Sequence, residues 1–151
     1  QGSNYKTTKR CLDVIEKDKL YNLDAFREFG KTIKSKKNNL KNKLIELKKD
    51  NKKIYAYGAP VKGNTLLNYM KIDSTIIDKA VEVNDLKIGK YLPGSHIPII
   101  RENMNDLPDY YLLLSHNFKN EIISKNQDII NKGVKFIVPF PEIEIIGNSS
   151  K

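Results

Sequence analysis

Four short apolar runs, each closing on a glycine or polar residues, restrict this chain more than any other feature. They are Ile54 to Tyr57 in "KKIYAYGA", about Ile77 to Val83 in "STIIDKAVEVN", "DYYLLLS" at 109–115 and "VKFIVPF" at 134–140. Short, β-prone runs of this kind read as strands. "DYYLLLS" is apolar throughout, as a strand covered on both faces requires. Helical patterns separate them. "VKGNTLLNYMK" follows the first run, and "NFKNEIISKNQDIINKG" follows the third. The second helix turns Phe118, Ile122, Ile123, Ile129 and Ile130 inward and ends on Gly133 as C-cap. "DLKIGKYLPGSHIPII" reads as a loop, and "PEIEII" as a short fifth strand. This order defines an α/β domain: a Rossmann-like parallel sheet of 4–5 strands with flanking helices. Its crossovers are expected to be right-handed.

A long amphipathic N-terminal helix precedes that sheet. Residues 8–18 form a short helix, "LYNLDAF" breaks it, and Asn22 or Asp24 caps the next. Up to Lys49, apolar Phe26, Phe29, Ile33, Leu40, Leu44 and Leu47 recur at the spacing of one helical face. The expected division is 1–7 as a tag remnant or disordered start, 8–50 as a helical packing region, 51–147 as the Rossmann-like domain, and 148–151 as a tail. "QGS" at the start resembles what tag cleavage leaves behind.

Charge is unevenly placed. Residues 1–53 carry 16 Lys+Arg against 7 Asp+Glu, and residues 54–151 carry 11 of each. A basic third suits nucleic acid or an acidic surface, but Lys, Asn and Ile are abundant throughout, and no nucleic-acid-binding motif accompanies it. Nucleic acid is not an expected partner. Nor is a membrane, since no apolar run approaches the ~20 residues that span a bilayer, and the expected compartment is cytoplasmic. One cysteine, Cys11, and two histidines exclude an internal disulfide and a Cys-rich metal site. Cys11 reads as a packing residue without chemistry.

The chemistry concentrates in three loops at the carboxyl ends of the strands, where ligands of such folds bind. They are Gly58–Thr65, Asn84–Ile97 and Ser115–Phe118. "GAPVKGNT" has the glycine spacing of a phosphate loop, but Asn64 stands where that loop needs its lysine, and Lys62 precedes Gly63. "GAPVKG" also lacks the middle glycine of a dinucleotide motif, with Glu82 as an acid at the end of strand two its only support. What remains is a strand-to-helix turn whose N–H groups suit an anion, or a purely structural turn. Gly58 permits the sharp exit, and Pro60 fits a turn or the first helical position. Gly63 admits a ligand or a neighbouring strand. Lys62 and Lys90 could neutralise a pyrophosphate or be ordinary surface lysines. His96 orients a hydroxyl or holds its own turn, the second being favoured. His116 is expected to face solvent or another domain. Asn64, Asn84 and Asn117 fall on three adjacent loops, where they could converge on a polar ligand or tie the loops together.

Read together, "YGAPVKGNTLLNYMKI", "VNDLKIGKYLPGSHIPI", "LPDYYLLLSHNFKNEI" and "VKFIVPFPEI" resemble the C-terminal domain of S-adenosylmethionine-dependent C-methyltransferases acting on nucleotide-linked deoxysugars. The resemblance spans about residues 12–145. It implies a missing zinc-binding domain, a missing methyltransferase domain that binds S-adenosylmethionine, and a sugar nucleotide held between that domain and this one. The chain alone would then bind substrate without methylating it. Residues implied in substrate binding are Gly58, Ala59, Pro60, Lys62, Gly63, Asn64, Thr65, Asn84, Lys90, His96 and Asn117. No catalytic residue and no metal or cofactor site is assigned to this chain. The sequence departs from the family at Glu82, usually aspartate, at Asp85, usually proline, and at Ser115-His116, usually Pro-Trp. Two other readings stand beside this one: a stand-alone Rossmann-like binding or interaction module, and an independent enzyme using the Gly58–Thr65 loop for a nucleotide.

Overall fold

A computed structural model describes residues 7–18 and 22–148. Expectations for the first six residues, for Leu20 and Tyr21 in the helix break, and for the last three residues lie outside these. The chain divides into two compact units at Lys37/Asn38.

The first unit holds α1 (Lys9–Asp18) and the opening turns of α2 (Leu23–Lys49). Asn22 is the cap of α2: its Oδ1 accepts the N–H groups of Asp24 at 2.9 Å and Ala25 at 3.2 Å. Helix α1 buries no residue. Cys11 is therefore exposed, contrary to its expected packing role. The expected apolar stripe is likewise exposed here at Phe26 and Phe29, because so short a segment has too little apolar area to enclose a core.

In the second unit the stripe continues as Leu40, Leu44 and Leu47, all buried. The sheet comprises β1 (Ile54–Tyr57), β2 (Lys79–Val81), β3 (Ile99–Ile100), β4 (Tyr110–Leu113), β5 (Lys135–Val138) and β6 (Glu144–Ile146), in spatial order β3-β2-β1-β4-β5-β6. The first five are parallel and β6 is antiparallel to β5. The mostly parallel α/β sheet is as expected, with six strands rather than four or five. Ile99–Ile100 is the additional strand, read as loop because two residues give no periodicity; its partner is β2. Strand β2 stops at Val81, and Val83 is exposed, because Glu82 turns its carboxylate back onto the N–H groups of Val83 and Asn84.

Side chains alternate across the sheet with the period of two that a strand imposes. Ile54, Ala56, Leu112 and Ile137 face α2 and α3 (Val61–Met70) in one core cluster. Tyr55, Tyr111 and Phe136 face the opposite way, packed with Ile129 and Ile130. The aromatic rings meet edge-on: Tyr57 and Tyr111 centroids lie 5.2 Å apart at 82°. Such pairs contribute about 0.5–1.5 kcal/mol beyond their buried area.

The single helix expected over 117–133 is instead a 3-10 turn at His116–Phe118, then α4 (Lys119–Lys125) and α5 (Gln127–Asn131). Asn126 makes the second break. Its buried amide donates to the Ile122 carbonyl at 2.7 Å and to the Tyr57 hydroxyl at 3.0 Å. A short amide side chain bonding to nearby backbone competes with helical pairing. Phe118, expected inward, is 62% exposed because the 3-10 turn rotates it off the buried face. Gly133 has φ +97, consistent with its expected role as a helix stop.

Asp106 ties the amino edge of the sheet. Its carboxylate accepts from Lys79 at 2.7 Å, from Lys53 at 2.9 Å and from the Tyr55 hydroxyl at 3.0 Å. Hydrogen bonds from Lys79 first, then Lys53 and Tyr55, hold its pKa far below the ordinary 3.8. A carboxyl depressed in the folded state contributes stability above its unfolded pKa and loses it as pH falls toward the folded value. Between about pH 5 and pH 2, the wild-type chain is expected to lose more stability than Asp106→Asn. Urea midpoints across that range measure this, and parallel curves for the two chains would contradict it.

Candidate functional site

The chain leaves β1 to build β2 and β3 on one side, then returns to place β4 on the other side of β1. Between the carboxyl ends of β1 and β4 the winding reverses, and in open α/β sheets the crevice at such a reversal is the ligand position. A cavity of about 190 Å³ opens there. Its walls include Tyr57, Gly58, Glu82, Val83, Glu102 and Ser115. A larger open groove of about 710 Å³ runs past the ends of β4 and β5, between His116, Asn117, Phe118, Lys119, Phe140 and Pro141.

The β1–α3 turn is tightly organised. Gly58 has φ +84, in the region that favours glycine, and its N–H donates to the Val81 carbonyl at 2.9 Å. The Ala59 N–H donates to Glu82 Oε2 at 3.1 Å. Lys87 closes the clasp, donating to the Ala59 carbonyl at 2.9 Å and to Glu82 Oε2 at 3.2 Å. Glu82 Oε1 takes the N–H groups of Val83 at 2.9 Å and Asn84 at 3.3 Å. Burial pushes the Glu82 carboxyl up. The Val83 and Asn84 amides, Lys87 and the Ala59 amide outweigh that, so its pKa lies below the ordinary value and it is ionised at neutral pH. Pro60 is the extended residue before the helix rather than its first helical residue, with φ −77 and ψ 154.

Gly63 serves the fold. A Cβ there would lie 2.7 Å from Leu114 Cβ, so the missing side chain lets α3 lie against the end of β4. Of the ligand and the neighbouring strand, the strand makes this close approach. Asn64 and Thr65 lie on α3. Asn64 Oδ1 faces the Asn68 amide at 3.3 Å, and Thr65 Oγ1 donates to the Val61 carbonyl at 3.1 Å. Lys62 is exposed on the same helix.

In the second loop, Asn84 Oδ1 accepts the Leu86 N–H at 3.0 Å and so shapes its own turn. Lys90 is exposed, and its carbonyl accepts the Ile99 N–H at 2.8 Å. His96 is exposed with φ +55, and its backbone N–H donates to the Leu92 carbonyl at 3.0 Å. Asn117 lines the larger groove. Gly58 thus belongs to the small cavity and Asn117 to the groove, while the remaining candidates lie in the β1–α3 turn, on α3 and in the second loop. His116 is half-buried, not turned to solvent: its ring packs 5.7 Å from that of Phe140, and its Nδ1 is buried with no hydrogen-bond partner.

Three organising residues are not among the expected site residues. Lys87 closes the clasp. Asn68 joins α3 to the second loop by donating to the Pro93 carbonyl at 2.9 Å. Glu102 accepts the Tyr111 hydroxyl at 2.8 Å on the cavity wall, and burial, then this contact, pushes the Tyr111 pKa far up. Nothing in the spacing of a lysine, an asparagine or a glutamate distinguishes such residues from surface ones. Only the sheet order brings 59, 82 and 87 together.

Among the described residues no cluster of His, Cys, Asp or Glu could hold a metal ion. The acid at the end of β2, which a Rossmann-type nucleotide site uses for ribose hydroxyls, is already held by Ala59, Val83, Asn84 and Lys87.

A six-stranded, mostly parallel α/β sheet with a cavity at its winding reversal is a Rossmann-like fold. Within that class, the chain belongs to the C-methyltransferase C-terminal domain family, whose model matches residues 2–141. It is 35% identical over 127 residues to the C-methyltransferase NovU of Streptomyces niveus. That match covers 83% of this chain and 30% of the relative, so the chain spans less than a third of that protein's length. Among the described residues no helix is long and apolar enough to cross a membrane.

Proposed function

We propose that this chain is the substrate-facing domain of an S-adenosylmethionine-dependent C-methyltransferase acting on a nucleotide-linked sugar. The family match over residues 2–141 carries the reading. The cavity beside Gly58 and Ser115 and the groove beside Asn117 supply polar and aromatic walls for a sugar and a base. Methyl transfer, S-adenosylmethionine binding and zinc binding belong to upstream domains of a longer polypeptide. The chain by itself binds without catalysing. The exposed apolar residues Leu23, Phe26 and Phe29 of α2 supply a surface on which such a neighbouring domain would dock.

An amide NMR titration tests the reading. A nucleotide-linked deoxysugar is expected to shift Gly58, Ser115 and Asn117, and S-adenosylmethionine is expected to shift none of them. Shifts with S-adenosylmethionine alone would refute the assignment.

A further inference from the structure

Every phosphate-binding strand-to-helix turn leaves backbone N–H groups open for the anion. Here the Ala59 N–H already has one: Glu82 Oε2, at 3.1 Å. The same oxygen takes the Lys87 ammonium at 3.2 Å, the kind of cation a phosphate would attract. The Glu82 side chain is 12% exposed and held at four points, so it is not a mobile surface acid. Its neighbour across the cavity is a second carboxyl group, Glu102, held in place by the Tyr111 hydroxyl. Ser115 adds a further polar side chain to the wall. A phosphate entering this space would face two carboxylates and find the lysine engaged. A neutral ring bearing hydroxyls would find acceptors at Glu102 and Ser115 and no charge to oppose.

We propose that Glu82 is the built-in anion of the β1–α3 turn, so that this turn takes no phosphate and the cavity beside it selects the neutral, hydroxyl-bearing part of a ligand. The proposal rests on reading the chain as a ligand-facing domain. It makes Glu82 a specificity residue and Lys87 its positioning partner. The ligand's phosphates then lie away from Ala59, toward the groove or outside the domain. The resemblance of "GAPVKGNT" to a phosphate loop is one of turn geometry, with the charge supplied from within the chain.

The test is an amide NMR titration with inorganic pyrophosphate on the wild-type chain, Glu82→Ala and Glu82→Gln. The alanine variant empties the anion position, and the glutamine variant keeps its shape without the charge. Wild-type Ala59, Val61 and Lys62 amides are expected to stay still. In either variant they are expected to move, with an affinity at least about tenfold above wild type. Should the alanine variant fail to fold, the glutamine variant alone decides. Equal shifts in wild type and variant would overturn the proposal, as would silence in a folded variant, since there would then be no position for Glu82 to fill. A second reading needs no variant. In a pH titration of wild type, the Ala59 amide should follow the ionisation of the Glu82 carboxyl, and independence of the two would overturn the contact. Failure of the sugar-nucleotide titration above would remove the functional reading and leave these outcomes interpretable.

Discussion

Phe136→Ala is expected to remove about 3–5 kcal/mol of folding stability, the range for deleting a fully buried aromatic ring. Phe136 is 0% exposed at the centre of the second core cluster. Its ring lies 5.3 Å from that of Tyr111 and 5.4 Å from that of Tyr57. Those tyrosines carry the hydroxyls that hold Glu102 at the cavity wall and Asn126 at the helix break. The cavity left by alanine would therefore loosen the carboxyl edge as well as the core. Urea unfolding measures the loss as a lower midpoint at an unchanged slope. A loss under about 1 kcal/mol would mean that the aromatic face collapses onto the gap and is not closely packed.

The second large effect is expected at Gly63, where the sign is informative. Alanine in place of glycine inside a helix ordinarily gains about 1 kcal/mol. At Gly63 the new Cβ would lie 2.7 Å from Leu114 Cβ, an atom fixed by the strand end rather than the tip of a flexible chain. Overpacking of this kind costs about 1–3 kcal/mol, so Gly63→Ala is expected to destabilise. Gly30→Ala, in α2 with nothing within 4 Å of its Cβ, is the control and should leave stability equal or higher. Thermal unfolding of both variants measures the contrast. Displacement of α3 would also move the Gly58–Pro60 turn, so Gly63→Ala should weaken any sugar-nucleotide shifts at Gly58.

Those two sites show where the sequence was informative. The Phe136 run is legible because Phe136, Ile137 and Val138 are consecutive apolar residues, as a strand buried on both faces requires. The β1–α3 turn is legible from Gly58, Pro60 and the change from period two to a helical period. Gly63 is legible as a position that needs to be small, but not why, since the atom it makes room for is fifty-one residues away at Leu114. Strand β3 leaves no signal in the sequence because a two-residue strand is defined by its partner, Ala80–Val81, rather than by any pattern of its own. The break at Asn126 is silent in the sequence for a related reason. An asparagine in a helical pattern is ordinary until a tyrosine from another strand reaches its amide.

The candidate site follows the same division. Which loops lie at the carboxyl ends of the strands follows from the order of elements, and Gly58 and Asn117 line the two openings there. What the loops do with their polar groups does not follow. Asn84 shapes its own turn, and Glu82 and Lys87 grip Ala59 across 23 and 28 residues of chain. Hydrophobic periodicity is local and repeats, so the sequence by itself determined the α/β class and the order of the longer strands and helices. Hydrogen bonds to single buried or strained atoms are non-local and leave no repeating trace, so only the tertiary structure decided that the glycine turn is already occupied by a carboxylate of its own chain.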